Sequence, residues 1–121
     1  MPRTLVIIED DPLIALDLEL LCQDAGWRVA EIARSLDEVK SKCGAAVPDM
    51  VVSDMDLIGP GDGVDAVNWL RQKNPDLQIV FVTGTRNEEK LERINETEPK
   101  QVFAKPLDSS KFLRLLGGMR V

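Results

Sequence analysis

The sequence predicts an α/β domain: a five-stranded parallel sheet, doubly wound by five helices, in the common strand order 2-1-3-4-5. Three observations point there. Short β-branched, apolar runs alternate along the chain with longer stretches of helical period. Four of the five runs are near-continuous rather than alternating, the pattern of strands covered on both faces. The linkers between them are short, which leaves room only for close-packed crossovers, and these are right-handed in parallel sheets.

The strands are read at "TLVII" (4–8), "WRVAEI" (27–32), "MVVS" (50–53), "IVFV" (79–82) and "QVFA" (101–104). Helices begin near Pro12, Leu36, Asp62, Arg86 and Ser109. In the first, Pro12 suits a first turn, and Ile14, Leu18, Leu21, Cys22 and Ala25 share a face until Gly26 stops the helix. Leu13, Leu16 and Leu20 fall on another flank. We expect core or loop contacts for them, with a partner-binding stripe as the alternative. The third helix buries Ala66, Val67 and Leu70 and ends at Pro75. The fourth has little beyond Leu91 and Ile94 to bury, and so thin a stripe predicts a loosely held helix. The last is short, packing Phe112, Leu115 and Leu116 inward before Gly117 and Gly118.

With 121 residues the chain is expected to form one compact domain, 1–121, with no room for a second. A net charge of −6 argues against non-specific binding to nucleic acid or an anionic membrane, and mildly favours a basic partner or a bound cation. No apolar run is long enough to span a bilayer, and the paired acids after "TLVII" are unlike a signal peptide. The two cysteines, Cys22 and Cys43, lack metal-type spacing and read as small helix residues of a reduced, cytoplasmic protein. The chain has no histidine. Zinc sites of the usual kind and serine–histidine or cysteine–histidine catalysis are thereby set aside.

Placed on this frame, the chemical residues gather. Glu9, Asp10 and Asp11 follow the first strand, Asp54 follows the third, Thr83 closes the fourth and Lys105 closes the fifth. All lie at carboxyl ends, where open α/β sheets bind ligands. In the order 2-1-3-4-5 these four strands are consecutive neighbours, spaced about 4.8 Å apart, so the residues can converge on one pocket. Clustered carboxylates repel, and a hard divalent cation such as Mg²⁺ removes the conflict. A lysine and a hydroxyl opposite would bind an anion with several oxygens, such as a phosphoryl group. One carboxylate can then act as nucleophile and become an aspartyl phosphate. Taken singly, each acid has a simpler reading as a helix cap: Asp10 or Asp11 before Pro12, and Asp62 before the third helix.

The motifs "LVIIEDD", "DMVVSDMDL", "IVFVTGT" and "VFAKPL" stand in an order and at a spacing that resemble the response-regulator receiver domains of two-component signalling, with their flavodoxin-like fold. The resemblance spans essentially the whole chain and implies a role for each matching residue. Glu9 and Asp10 would be the acid pair that holds Mg²⁺, Asp10 directly and Glu9 mainly through water. Asp54 would be the phosphoacceptor. Asp56 would supply a backbone carbonyl to the metal, its side chain lying where families tune phosphoryl lifetime. Thr83 and Lys105 would bind phosphoryl oxygens, with Gly84 leaving them room. The Lys105–Pro106 bond would be cis, an isomer readily reached only before proline. The implied donor is a sensor histidine kinase or a histidine phosphotransfer protein, and phosphorylation would change the helix 4–strand 5–helix 5 surface toward a downstream protein. Such a chain is its own substrate rather than a turnover enzyme.

Two departures stand out. The family's switch aromatic is here Val102, and strand alternation turns the neighbouring Phe103 to the other face. The loop "MDLIGPGDG" after Asp54 is one residue longer than the common form. Among rival readings, "SDMDL" resembles the D-x-D pair of haloacid-dehalogenase-type phosphatases, but those carry further acids after the lysine, where only Asp108 follows here. "GPGDG" as a nucleotide-phosphate loop lacks a third glycine at the right spacing. A receiver fold that signals without phosphate is the last, and the intact set Asp10, Asp54, Thr83 and Lys105 argues against it.

Overall fold

The computed structural model describes residues 3–119; Val121, where the sequence ends, lies outside them. Ten elements alternate: β1 (Thr4–Ile8), α1 (Pro12–Asp24), β2 (Arg28–Ala33), α2 (Leu36–Lys42), β3 (Met50–Ser53), α3 (Gly63–Lys73), β4 (Gln78–Thr83), α4 (Glu88–Glu96), β5 (Gln101–Ala104) and α5 (Ser109–Met119). The five strands form one sheet in the order β2-β1-β3-β4-β5, every pair parallel. The predicted fold class is the observed one.

Strand alternation divides the core in two. On one face Val6, Ile8, Val51, Ile79 and Phe81 meet Val39, Val67, Leu70 and Ile94 of α2, α3 and α4. On the other, Leu5, Ile7, Val52, Val80 and Val82 meet Leu18, Cys22, Phe112 and Leu116 of α1 and α5. Complete burial of β3 and near-complete burial of β1 and β4 is what their unbroken apolar runs express. The buried indole of Trp27 donates to the Leu116 carbonyl at 2.9 Å, so its polar atom is satisfied while it ties the start of β2 to α5.

Helix starts follow local chemistry. Asp11 caps α1, its Oδ1 accepting from the N–H groups of Leu13 (2.9 Å) and Ile14 (3.4 Å), with Pro12 in the first turn. Asp62 and Asp65 form a reciprocal capping box on α3. Asn87 caps α4, which therefore starts at Glu88, two residues after the predicted Arg86.

Four expectations are corrected. β2 begins at Arg28, and Trp27 precedes it. β5 reads as a buried run in sequence but is an edge strand with Gln101 and Ala104 exposed, because no strand among the described residues pairs beyond it. Helix α5 does not stop at Gly117 but runs through both glycines to Met119. Glycine costs a helix about 1 kcal/mol per residue, whereas burying Leu116 and Met119 on either side of the pair contributes about 1.5–3 kcal/mol each. Packing overrides propensity. Finally, Leu13, Leu16 and Leu20 make no core: they are 77%, 51% and 53% exposed, while Ala15, Leu18 and Cys22 face inward.

Candidate functional site

The site forms where three backbones outrun their strands. The N–H of Glu9 donates to the Ala33 carbonyl, and that of Asp54 to the Ile8 carbonyl, both at 2.9 Å, so ladder geometry continues one residue past β1 and β3. The Lys105 N–H does the same with the Thr83 carbonyl at 3.1 Å. These bonds fix the Cα positions of Glu9, Asp54 and Lys105 as firmly as those of the sheet.

Side chains then converge. Single carboxylate oxygens of Glu9, Asp10 and Asp54 all lie within 4.8 Å of one another. The Lys105 ammonium reaches across to Asp54 Oδ2 and Glu9 Oε1, each at 2.8 Å. Asp54 is held on its other side by the Met55 N–H, which donates to Oδ1 at 2.7 Å. Glu9 is 1% exposed and Asp54 8%, so two charges of the cluster are nearly removed from water, while Asp10 and Lys105 are half-buried. Burial pushes the Glu9 carboxyl above its usual range, and the Asp54 charge adds to the rise; Lys105 and the Asp11 N–H (3.1 Å to Oε2) pull it back only in part. Burial works against the Lys105 ammonium, but hydrogen bonds to Asp54 and Glu9 outweigh it and hold its pKa above the ordinary lysine value.

Thr83 and Asp56 stand apart from this contact set. Thr83 is buried at the end of β4, yet its hydroxyl oxygen accepts from the Thr85 N–H at 3.2 Å rather than touching a carboxylate. Asp56 turns its carboxylate outward, onto Lys90 of α4 at 2.6 Å. Gly84 is exposed, and a Cβ there would meet only the Lys105 side chain, at 3.9 Å. The Lys105–Pro106 bond is cis.

Sequence reasoning missed two supports of Asp54. Ser53, buried one residue earlier, donates its hydroxyl to the Asp54 carbonyl at 2.7 Å. Gly63 lies directly behind it: a Cβ there would stand 1.8 Å from the Asp54 carbonyl oxygen. Its position just after the Asp62 cap was visible, but helix starts accept many residues, so nothing local marks this glycine as obligatory.

A carboxylate trio with a lysine clamp, at the carboxyl edge of a 2-1-3-4-5 sheet, is the arrangement the motif resemblance implied. A family profile described as the response regulator receiver domain matches residues 5–116. The chain belongs to the response regulator receiver domain family. It is 36% identical over 107 residues to the phyllosphere-induced regulator PhyR of Methylorubrum extorquens, covering 88% of this chain and 39% of that protein. With the photosynthetic apparatus regulatory protein RegA of Cereibacter sphaeroides it shares 35% over 82 residues, 68% of this chain and 44% of RegA. This receiver domain thus spans about two fifths of the length of those relatives. Among solved structures, the receiver domain of PhyR from Erythrobacter litoralis superposes with a TM-score of 0.83 at 26% identity, covering 97% of this chain and 88% of that one.

Receiver domains bind Mg²⁺ at this acidic pocket, and the oxygen-only donor set of Glu9, Asp10 and Asp54 suits a hard, small cation. Among the described residues no helix is long and apolar enough to cross a membrane.

Proposed function

We propose that Asp54 accepts a phosphoryl group from a phosphohistidine on a sensor kinase or histidine phosphotransfer protein. The observation that carries this reading is the Lys105 ammonium 2.8 Å from Asp54 Oδ2, beside three converging carboxylates. An Asp54 oxygen forms the new bond to phosphorus, and the bond from phosphorus to the donor imidazole nitrogen breaks. Lys105 moves from pairing two carboxylates to pairing a phosphoryl oxygen. Glu9 and Asp10, with Asp54 and the backbone carbonyl of Asp56, would hold Mg²⁺. When bound, that ion neutralises charge that builds on the phosphoryl oxygens in the transition state. Thr83, released from Thr85, supplies a hydroxyl to the phosphoryl group. Loss of phosphate follows by water attack on the acyl phosphate, so the chain catalyses reactions on itself, and residues 1–121 act as one receiver unit in the cytoplasm.

The exposed Leu13, Leu16 and Leu20 support a docking role for α1. They lie on one flank of α1, the helix that starts at Pro12 just after Glu9 and Asp10, and an apolar stripe there suits the helical surface that presents a donor histidine. The downstream partner reads the α4–β5–α5 surface. Part of the chain also resembles the sensor kinase CckA of Brucella abortus, 30% identical over 83 residues, which is 9% of that protein.

The test is direct. With Mg²⁺ and acetyl phosphate the intact chain should gain one phosphoryl mass, and Asp54→Asn should gain none. An adduct that survives Asp54→Asn would overturn the assignment. The haloacid-dehalogenase reading is not supported: membership of the receiver family accounts for the D-x-D pattern, and the second acid of that pair points away to Lys90.

A further inference from the structure

A second recess lies at the amino end of the sheet, the opposite end from Glu9, Asp54 and Lys105. There Gln78, the first residue of β4, and Lys100, just before β5, border a cleft of about 500 Å³ against α5. Small-ligand sites occupy roughly 300–1,000 Å³. Strand alternation puts Gln78 on the same face as Val80 and Val82, toward α5. Lys100 is placed by the ladder, since its N–H donates to the Ile79 carbonyl at 2.7 Å. From α5 come Lys111, Arg114 and Gly118, at the three- and four-residue spacing of one helix face.

Three features of the cleft go beyond an ordinary surface. The first is charge: three cations and no acid line it, in a chain whose net charge is −6. Among the described residues Lys100, Lys111 and Arg114 enter no ion pair, whereas Arg34, Lys42, Lys90, Arg93 and Lys105 each do. The second is an orphan: Gln78 Oε1 is buried, and no donor among the described residues reaches it. A buried acceptor without a donor is unfavourable, and a ligand N–H would satisfy it. The third is space. Glycine is a poor helix residue, yet nothing lies within 4 Å of a Cβ built on Gly118. Packing therefore does not demand glycine at this position, whereas a side chain there would stand in the cleft.

These features select a ligand. Three cations suit a group with several negative charges, and the forked guanidinium of Arg114 suits phosphate oxygens in particular. Ionised phosphates are acceptors, so Gln78 calls for an N–H on another part of the same molecule. Leu115 and the buried Met119 give that part an apolar seat. A nucleoside polyphosphate combines the phosphates, the ring N–H and the apolar ring faces. We propose that this cleft binds a nucleoside di- or triphosphate, with its phosphates on Lys100, Lys111 and Arg114 and a base N–H donated to Gln78 Oε1. The cleft shares no residue with the carboxylate site, so the inference stands independently of the role of Asp54. Because α5 also belongs to the surface assigned to the downstream partner, an occupied cleft changes what that partner meets.

The experiment is calorimetric titration of the full chain with ADP and with GDP, in EDTA to keep divalent cations out of the acidic pocket. At least one of the two should bind saturably, one per chain, and pyrophosphate, which lacks the base, about tenfold more weakly. Lys111→Gln and Arg114→Gln, both at exposed positions, should each weaken binding about two- to fivefold. Gln78→Leu should weaken the nucleotide and leave pyrophosphate unchanged. Gly118→Phe should fill the cleft and abolish binding, with its melting temperature reporting an intact fold; the Lys111→Gln, Arg114→Gln double variant decides the matter if that chain does not fold. Asp54→Asn should bind as the native chain does. Absence of saturable binding by either nucleotide at millimolar concentration overturns the proposal. So does equal affinity for pyrophosphate, or nucleotide affinity unchanged in the double variant.

Discussion

Gly63 offers the sharpest test of how the acceptor is seated. A Cβ at this position would lie 1.8 Å from the Asp54 carbonyl oxygen, 2.9 Å from its carbonyl carbon and 3.0 Å from Met55 Cα. Ordinary contact begins at 3.4 Å, so Gly63→Ala must part the two backbones by about 1.6 Å, from 1.8 to at least 3.4 Å. The obstacle is buried main chain just past the end of β3, not a side chain that can rotate. Overpacking costs about 1–3 kcal/mol, and a rigid obstacle belongs at the upper end. The opening also stretches the bond from the Gly63 N–H to the Met55 carbonyl, now 2.8 Å, at about 0.5–1.5 kcal/mol. Against this, alanine restricts the unfolded chain and returns about 0.4–1 kcal/mol. The net loss is about 2–4 kcal/mol, a large share of the roughly 5–15 kcal/mol that holds a domain together. With a urea slope of about 2 kcal/mol per molar, the unfolding midpoint should fall by about 1–2 M. Fluorescence of Trp27, 3% exposed, reports the transition. A midpoint within about 0.3 M of the native chain would refute the close approach.

Three further outcomes are expected. Gly117→Ala and Gly118→Ala, each with open space around a new Cβ, should stabilise α5 by about 0.5–1 kcal/mol apiece; a lower melting temperature for either would mean that the helix ends before them. The Cys22 thiol, pushed up to about 12 chiefly by burial and then by Glu19, should resist iodoacetamide at pH 8 in the folded chain and react once urea unfolds it; native-state labelling at the unfolded rate would contradict its place in the core. Asp62 is drawn up by burial but pulled further down by Arg93 and the Asp65 N–H, so its folded pKa lies below the unfolded value of 3.8. In that window the unfolded chain binds the extra proton. The pair therefore stabilises fully above the unfolded pKa and is lost as pH falls through the folded one. The stability gap between the native chain and Arg93→Met should close on acidification, and a gap constant from pH 7 to below Asp62's folded pKa would refute the pairing.

What the sequence disclosed, and what it hid, divides along the range of the interaction. Glu9, Asp54 and Lys105 were legible because each follows a strand whose apolar run announces it, and a parallel sheet brings such ends together without any side-chain detail. Asp11, Asp62 and the stop at Gly26 were legible because caps are local. Leu13, Leu16 and Leu20 were not: periodicity shows that a helix has a second apolar flank, but only the placement of its neighbours shows that nothing covers it. The grip of Lys90 on Asp56 spans 34 residues, and the intrusion of Gly63 behind Asp54 is set by tertiary distance. Gly117 and Gly118 misled for the converse reason, since a local helix-breaking signal was outweighed by burial of Leu116 and Met119.

Val102 gains meaning in this light. It packs on the α2–α3–α4 face of the sheet, while Phe103 turns to the α5 side and meets Phe112 edge-on, ring centroids 5.5 Å apart. No aromatic ring at Val102 is available to swing, and the ring beside it is committed to the opposite core. Under the proposed reading, a signal from the phosphoryl group must travel by backbone instead, and a continuous route exists. The Thr85 N–H donates to the Thr83 hydroxyl (3.2 Å), the Asn87 N–H to the Thr85 hydroxyl (3.3 Å), and the Lys90 N–H to the Asn87 side chain (3.0 Å). Drawing the Thr83 hydroxyl to a phosphoryl oxygen removes the first of these bonds, and with it the anchor of the turn that caps α4. That helix has little apolar hold of its own and depends on Lys90 and Arg93. A change at its cap therefore meets weak resistance, and α4 can shift without the ring rotation that Val102 forbids.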